Sequence, residues 1–106
     1  MGSLSTLNTR SYLYDVVFMW QQALGGRCQQ LARIERPEGN YQRIADEVLK
    51  EKAKDIFDAL TVISPPPRLN IYTPICVCEF EICIDPIEGL ESAFAYPIRY
   101  RPYMAE

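Results

Sequence analysis

Between Ile75 and Asp85 the chain alternates with period two, and no other stretch constrains the fold as tightly. Cys76, Cys78, Phe80, Ile82 and Ile84 fall on one parity, and Ile75, Val77, Glu79, Glu81 and Cys83 fall on the other. Successive strand side chains point to opposite faces. The first set therefore forms an unbroken apolar face, and the second places two carboxylates in the middle of the opposite face. The segment is expected to be a half-buried strand ended by Pro86, which has no amide hydrogen to give to a ladder. Three of the four cysteines lie in it. Cys76 and Cys78, on the apolar face beside Phe80, read as small packing residues, the commonest role of a buried thiol.

The N-terminal third reads as helical. Leu4 to Thr9 is a polar lead-in from which Asn8 or Thr9 can cap a helix over about 11–24. Leu13, Val17, Trp20 and Leu24 share a face at helical spacing, with Val16 beside them, while Tyr12, Tyr14, Phe18 and Met19 surround much of the remaining cylinder. A helix apolar on most sides must be covered on most sides. In a small domain that means a central position or a face turned to another chain. Gly25-Gly26 is expected to stop this helix, since glycine accepts the left-handed cap conformation. Residues 27–35 fit a short helix through Cys28, Leu31 and Ala32, or a strand through Cys28, Ala32 and Ile34. The helix is preferred.

After the turn Arg36-Pro37-Glu38-Gly39, Asn40 caps a long helix over about 41–63. Ala45, Leu49, Ala53, Ile56, Leu60 and Ile63 recur at four- and three-residue spacing, and Tyr41, Ile44, Val48 and Phe57 widen the stripe. The pairs Asp46/Lys50 and Lys54/Asp58 add a few tenths of a kcal/mol each. Ser64-Pro65-Pro66-Pro67 breaks the helix. Leu69 to Tyr72 is a short edge strand ending at Pro74, and beyond the turn Pro86-Ile87-Glu88-Gly89 a second alternating set joins Ser92, Phe94, Tyr96, Ile98 and Tyr100. Pro97 within that set marks an edge strand. The expected fold is a single α+β domain over 1–106. Two principal helices (about 11–24 and 41–63) pack on a small antiparallel sheet (about 69–72, 75–85 and 91–101).

Composition narrows the function classes. The 106 residues are 48% hydrophobic and 24% charged, with a net charge of -3. That is an ordinary globular composition, and its acidic balance argues against nucleic acid as a partner. No apolar run approaches the ~20 residues that cross a bilayer, so no membrane partner is expected. Gly2 with Thr6 meets the loose myristoylation pattern, which chance satisfies easily. Four cysteines without a basic-then-apolar leader suit an intracellular, reducing location or the interior of an assembled particle.

The chain has no histidine. That removes the commonest general base, the Ser-His and Cys-His nucleophile pairs, and the most frequent metal ligand. Cys76-x-Cys78 with Cys83 and Cys28 does not have the Cys-x-x-Cys knuckles of structural zinc. Glu79 and Glu81 on one strand face are read as cross-strand partners of Arg99 and Arg101, not as a catalytic pair. Asp85, Glu88 and Glu91 lack the spacing of a calcium loop. No enzyme activity, cofactor or metal is expected.

The tail from Tyr96 to Met104 is rich in Tyr, Arg and Met, types enriched at interface cores. Tyr12, Phe18, Met19, Tyr100, Arg101, Tyr103 and Met104 are the candidate interface residues. Both chain ends are expected to be held by neighbours. The expected function is a non-enzymatic structural or protein-binding subunit of a larger, repeating assembly such as a viral particle. Its partners would be proteins, in a homo-oligomer or a hetero-assembly. The alternatives are a small intracellular inhibitor or adaptor that binds one large partner, and a Cys-dependent enzyme or redox protein using Cys76 and Cys78.

Overall fold

The computed structural model describes residues 11–22, 25–37, 39–57, 66–85 and 87–104. The polar lead-in, the stretch 58–63 of the expected long helix and both chain ends lie outside the described residues. The elements are β1 (Ser11–Gln22), β2 (Gly25–Pro37), α1 (Tyr41–Phe57), β3 (Arg68–Tyr72), β4 (Cys76–Asp85) and β5 (Gly89–Pro102). The strands form one five-stranded sheet in the order β2-β1-β3-β4-β5, antiparallel throughout.

This overturns the expected fold class. Among the described residues the protein is mostly antiparallel sheet with a single helix, not two helices on a small sheet. The first supposed helix is β1. Its even positions Tyr14, Val16, Phe18 and Trp20 are buried, while its odd positions Leu13, Asp15, Val17 and Met19 face the opposite side and keep contact with water. Aromatic and β-branched residues suit such a pleated, half-buried surface. Because the odd set is itself largely apolar, the strand imitates a helix with no polar side.

Residues 27–35 are strand too. β2 pairs with β1, with a register shift that sets Val16 opposite Ala32 and Val17 opposite Gln30. Leu31 is the extra residue, as in a bulge, and it is buried with Ala32 and Ile34 packed near it. The shift moves Cys28 to the other face, where it is exposed. Gly25 opens β2 at φ 146°, a conformation that a side chain would resist.

β3 is not an edge strand but the middle of the sheet, paired on both sides, with Leu69 and Ile71 fully buried. The carbonyl of Pro67 extends its ladder by accepting the Ile82 amide at 2.9 Å. Asp85 shapes the β4–β5 turn by accepting the Ile87 amide at 2.8 Å, and Gly89 takes φ 76° to close it.

Helix α1 covers one face of the sheet, chiefly against β5. Asn40, at φ 57°, gives its carbonyl to the Ile44 amide at 3.1 Å, and Ile44, Ala45, Val48, Leu49 and Ala53 face inward. Cross-strand rows meet them, among them Ala32–Val16–Ile71–Cys78–Tyr100. The Tyr41 ring lies between Tyr14 and Tyr100, with centroids 5.8 and 6.1 Å away. Over β5, Gln42 Nε2 donates to the Ala95 carbonyl at 2.7 Å. That close approach is possible because β5 presents Ala93 and Ala95 to the helix.

Candidate functional site

The sheet face turned away from α1 follows the register of the strands. One row crosses it as Arg33–Asp15–Tyr72–Val77–Arg101, the next as Gln30–Val17–Asn70–Glu79–Arg99, and a third as Cys28–Met19–Arg68–Glu81–Tyr96. Charge on this face is tied in local clusters. Glu79, only 7% exposed, is held by Arg101 at 3.1 Å and by Arg68 at 3.5 Å. Asp15 accepts from Arg33 at 2.8 Å and from Gln30 at 2.8 Å. The hydrogen bond from Arg33 holds the Asp15 carboxyl below the usual carboxylate range, against a smaller opposing effect of burial. Asn70, 8% exposed, donates through Nδ2 to Met19 Sδ and Tyr72 Oη at 3.3 Å, while its Oδ1 has no partner among the described residues.

On the helix-covered face, the buried Cys76 thiol has polar neighbours within the core. Thr73 Oγ1 lies 3.3 Å from Cys76 Sγ, and Cys76 Sγ donates to Tyr41 Oη at 3.6 Å. Burial, with Cys76 as neighbour, pushes the Cys78 thiol up to about 12. Burial and then the contact with Cys76 likewise raise the Tyr41 hydroxyl above its ordinary value. A thiol so raised stays protonated at neutral pH and is a poor nucleophile. Among the described residues no three His, Cys, Asp or Glu side chains gather as a metal ion would need. No described helix is long and apolar enough to cross a membrane.

The seven candidate interface residues do not form one patch. Phe18 is fully buried, with the Arg27 guanidinium 5.4 Å from its ring centroid, and offers no surface to another chain. Tyr12 packs half-buried at the margin of the core. Met19 is partly exposed on the open face, three strands from β5 in the sheet order. Tyr100, Arg101, Tyr103 and Met104 do come together, at the C-terminal end of edge strand β5. There the Tyr103 amide donates to the Ile75 carbonyl at 2.9 Å.

The exposed apolar run reaches beyond these four residues, and of its further members only Phe94 on β5 lies outside the Tyr96–Met104 stretch that the sequence singles out. Phe94, Tyr96, Ile98, Tyr100, Tyr103 and Met104 are 41% to 74% exposed, and Ile75 lies beside the tail, also exposed. They project on both sides of the strand. Phe94 and Tyr96 pair with Cys83 and Glu81 on the open face, whereas Tyr100 pairs with Cys78 on the helix face. The change of side comes from a register shift that leaves Ile98 as the extra residue between Arg99, opposite Glu79, and Pro97, opposite Phe80. The single alternating set expected over Ser92 to Tyr100 is therefore broken at Ile98. The signal in the sequence is the size of the residues: alanines on one parity and large apolar residues on the other. Where the helix needs small residues beneath it, the large ones must face out.

Next to this flank, an open groove of about 340 Å³ runs between Tyr41 and Gln42 of α1 and the segment Pro97–Tyr100 of β5, with Cys78, Glu79 and Phe80 at its base. Its walls are mostly apolar side chains with backbone between them. Such a groove can take a side chain from a partner but offers no gathered acid, base or nucleophile. No protein-family model, curated protein or solved structure matches this chain.

Proposed function

We propose that the protein is a non-enzymatic structural or protein-binding subunit of a larger assembly, and that it meets its partners through the β5 flank. One observation carries this reading. Among the described residues, seven of the ten large apolar side chains left exposed are Ile87, Phe94, Tyr96, Ile98, Tyr100, Tyr103 and Met104, all on β5, the turn before it or the tail after it. Scattered exposed apolar residues need no explanation, but a contiguous run of them on one edge marks a contact surface. Tyr supplies large area at modest entropy cost, and such anchors often carry ~2 kcal/mol or more when centrally buried.

The reading is tested by the molar mass of the purified protein in solution, by light scattering at two concentrations, for the natural chain and for Tyr96→Glu. Association that is lost in Tyr96→Glu, with circular dichroism unchanged, is the expected result. A compact monomer at both concentrations, or association that ignores the substitution, overturns it.

A further inference from the structure

Resting on that reading, we propose that the occupant of the β5 flank is the same flank of a second copy of this chain, turned end for end about a two-fold axis near Ala95. The order of charge along the strand carries the proposal. Glu88 and Glu91 are exposed at its beginning, Arg99 and Arg101 are exposed towards its end, and Phe94 and Tyr96 are exposed between them. A strand with acid at one end, base at the other and apolar residues in the middle is complementary to itself only when antiparallel. In that arrangement Glu91 stands at the same step of the edge as Arg99 of the second copy, and Phe94 faces Tyr96 of the second copy. A parallel arrangement sets like charges together, which costs free energy. Arg99 is the base available for this pairing. Arg101 is engaged by Glu79, and no described carboxylate takes Arg99.

The two-fold also accounts for apolar exposure on both sides of the strand. A partner laid on the open face would cover Phe94 and Tyr96 and leave Tyr100 wet. A partner beside the edge reaches both. The contact runs through side chains rather than a continued ladder, because Pro97 lacks an amide donor and the register shift at Ile98 bends the edge, two devices that blunt backbone pairing. An isologous contact of this kind closes at two copies and leaves the β2 edge free for others.

The test uses light scattering and analytical centrifugation of the full chain with Glu91→Lys, Arg99→Glu and both together. The proposal expects a dimer whose dissociation constant rises about tenfold in either single variant and returns to within about threefold of the original in the double variant. Restoration is the decisive arm, since a general loss of surface polarity cannot produce it. Association that Tyr96→Glu abolishes, but that neither single variant weakens or the double variant fails to restore, overturns the two-fold pairing and leaves the flank reading standing. Species larger than a dimer without such charge dependence do the same. A monomer at every concentration overturns both.

Discussion

Arg101 reaches Glu79 from one step along the ladder. Its Nε and Nη2 lie 3.2 and 3.1 Å from Glu79 Oε2, although its own backbone stands opposite Val77 and the residue opposite Glu79 is Arg99. Arg68 closes on the other oxygen from β3 at 3.5 Å. One nearly buried carboxylate thus ties β3, β4 and β5 together on the open face.

The asymmetry of this cluster gives the first prediction. Glu79 is nearly buried while both arginines are about half exposed. Removing the carboxylate leaves two guanidiniums facing each other, whereas removing one guanidinium leaves Glu79 a partner. Glu79→Ala should lower unfolding stability by about 2 kcal/mol, and Arg68→Ala or Arg101→Ala by under about 1 kcal/mol each. Urea denaturation of the three variants measures this. Equal effects of the three substitutions would overturn the asymmetry.

Asp15 gives a prediction about pH. Its hydrogen bond from Arg33 lowers the folded-state pKa below the unfolded value near about 3.9. The unfolded chain therefore binds the proton first as the medium is acidified. The pair contributes fully above about pH 4, and its contribution disappears as pH falls through the folded-state pKa. Asp15→Asn should remove this part of the acid-side dependence while lowering the unfolding free energy near neutrality by only a few tenths of a kcal/mol, because the pair lies at the surface. Urea midpoints at pH 3 and pH 7 compare the two proteins; an unchanged difference between them would assign the acid sensitivity elsewhere.

Much of β4 was legible because one of its faces is wholly apolar and period two is unambiguous there. β1 was not, and the reason lies in Leu13, Val17 and Met19. On an open sheet face these apolar residues are tolerated between the Asp15–Arg33 pair and Asn70, so the polar parity that marks a strand is blurred. Leu13, Val17 and Trp20 then match a helical stripe by coincidence. The enrichment in Tyr, Val, Phe and Trp was the better guide. The place of β3 was out of reach for another reason: a five-residue strand contains no information about which strands flank it, and its central position is a matter of long-range pairing with β1 and β4. The Tyr96–Met104 stretch of the exposed β5 flank could be singled out from residue type as a candidate contact. Its continuation to Phe94 needed the position of the helix, which turns Ala93 and Ala95 inward.

The thiols should separate cleanly by reactivity. Cys76 and Cys78 are buried under α1, and burial holds Cys78 far above neutral pH, whereas Cys28 is exposed on β2. Burial and then the charge of Glu81 also raise Cys83. Iodoacetamide at pH 8 followed by peptide mass spectrometry should find Cys28 modified first, Cys83 more slowly, and Cys76 and Cys78 only on unfolding. Replacing Cys76 and Cys78 by valine should keep the fold, since the Thr73 hydroxyl retains its contact with the backbone carbonyl at position 76. Rapid native-state labelling of Cys78 would revive a chemical role for the pair.

The tail can be separated from the sheet it adjoins. Ending the chain after Pro102 keeps Arg101 on Glu79 and Tyr100 against Tyr41, and removes the bond from the Tyr103 amide to the Ile75 carbonyl. The sheet and helix should therefore remain folded, with a loss of about 1 kcal/mol for that hydrogen bond. Tyr103 and Met104 are largely exposed in the single chain, so their removal exposes little core. If they stand near the centre of the proposed contact, association should weaken by about tenfold or more. Circular dichroism and light scattering on the shortened chain read the two effects separately. Loss of the fold would make the tail part of the core, and unchanged association with an intact fold would confine the contact to Phe94, Tyr96 and Ile98.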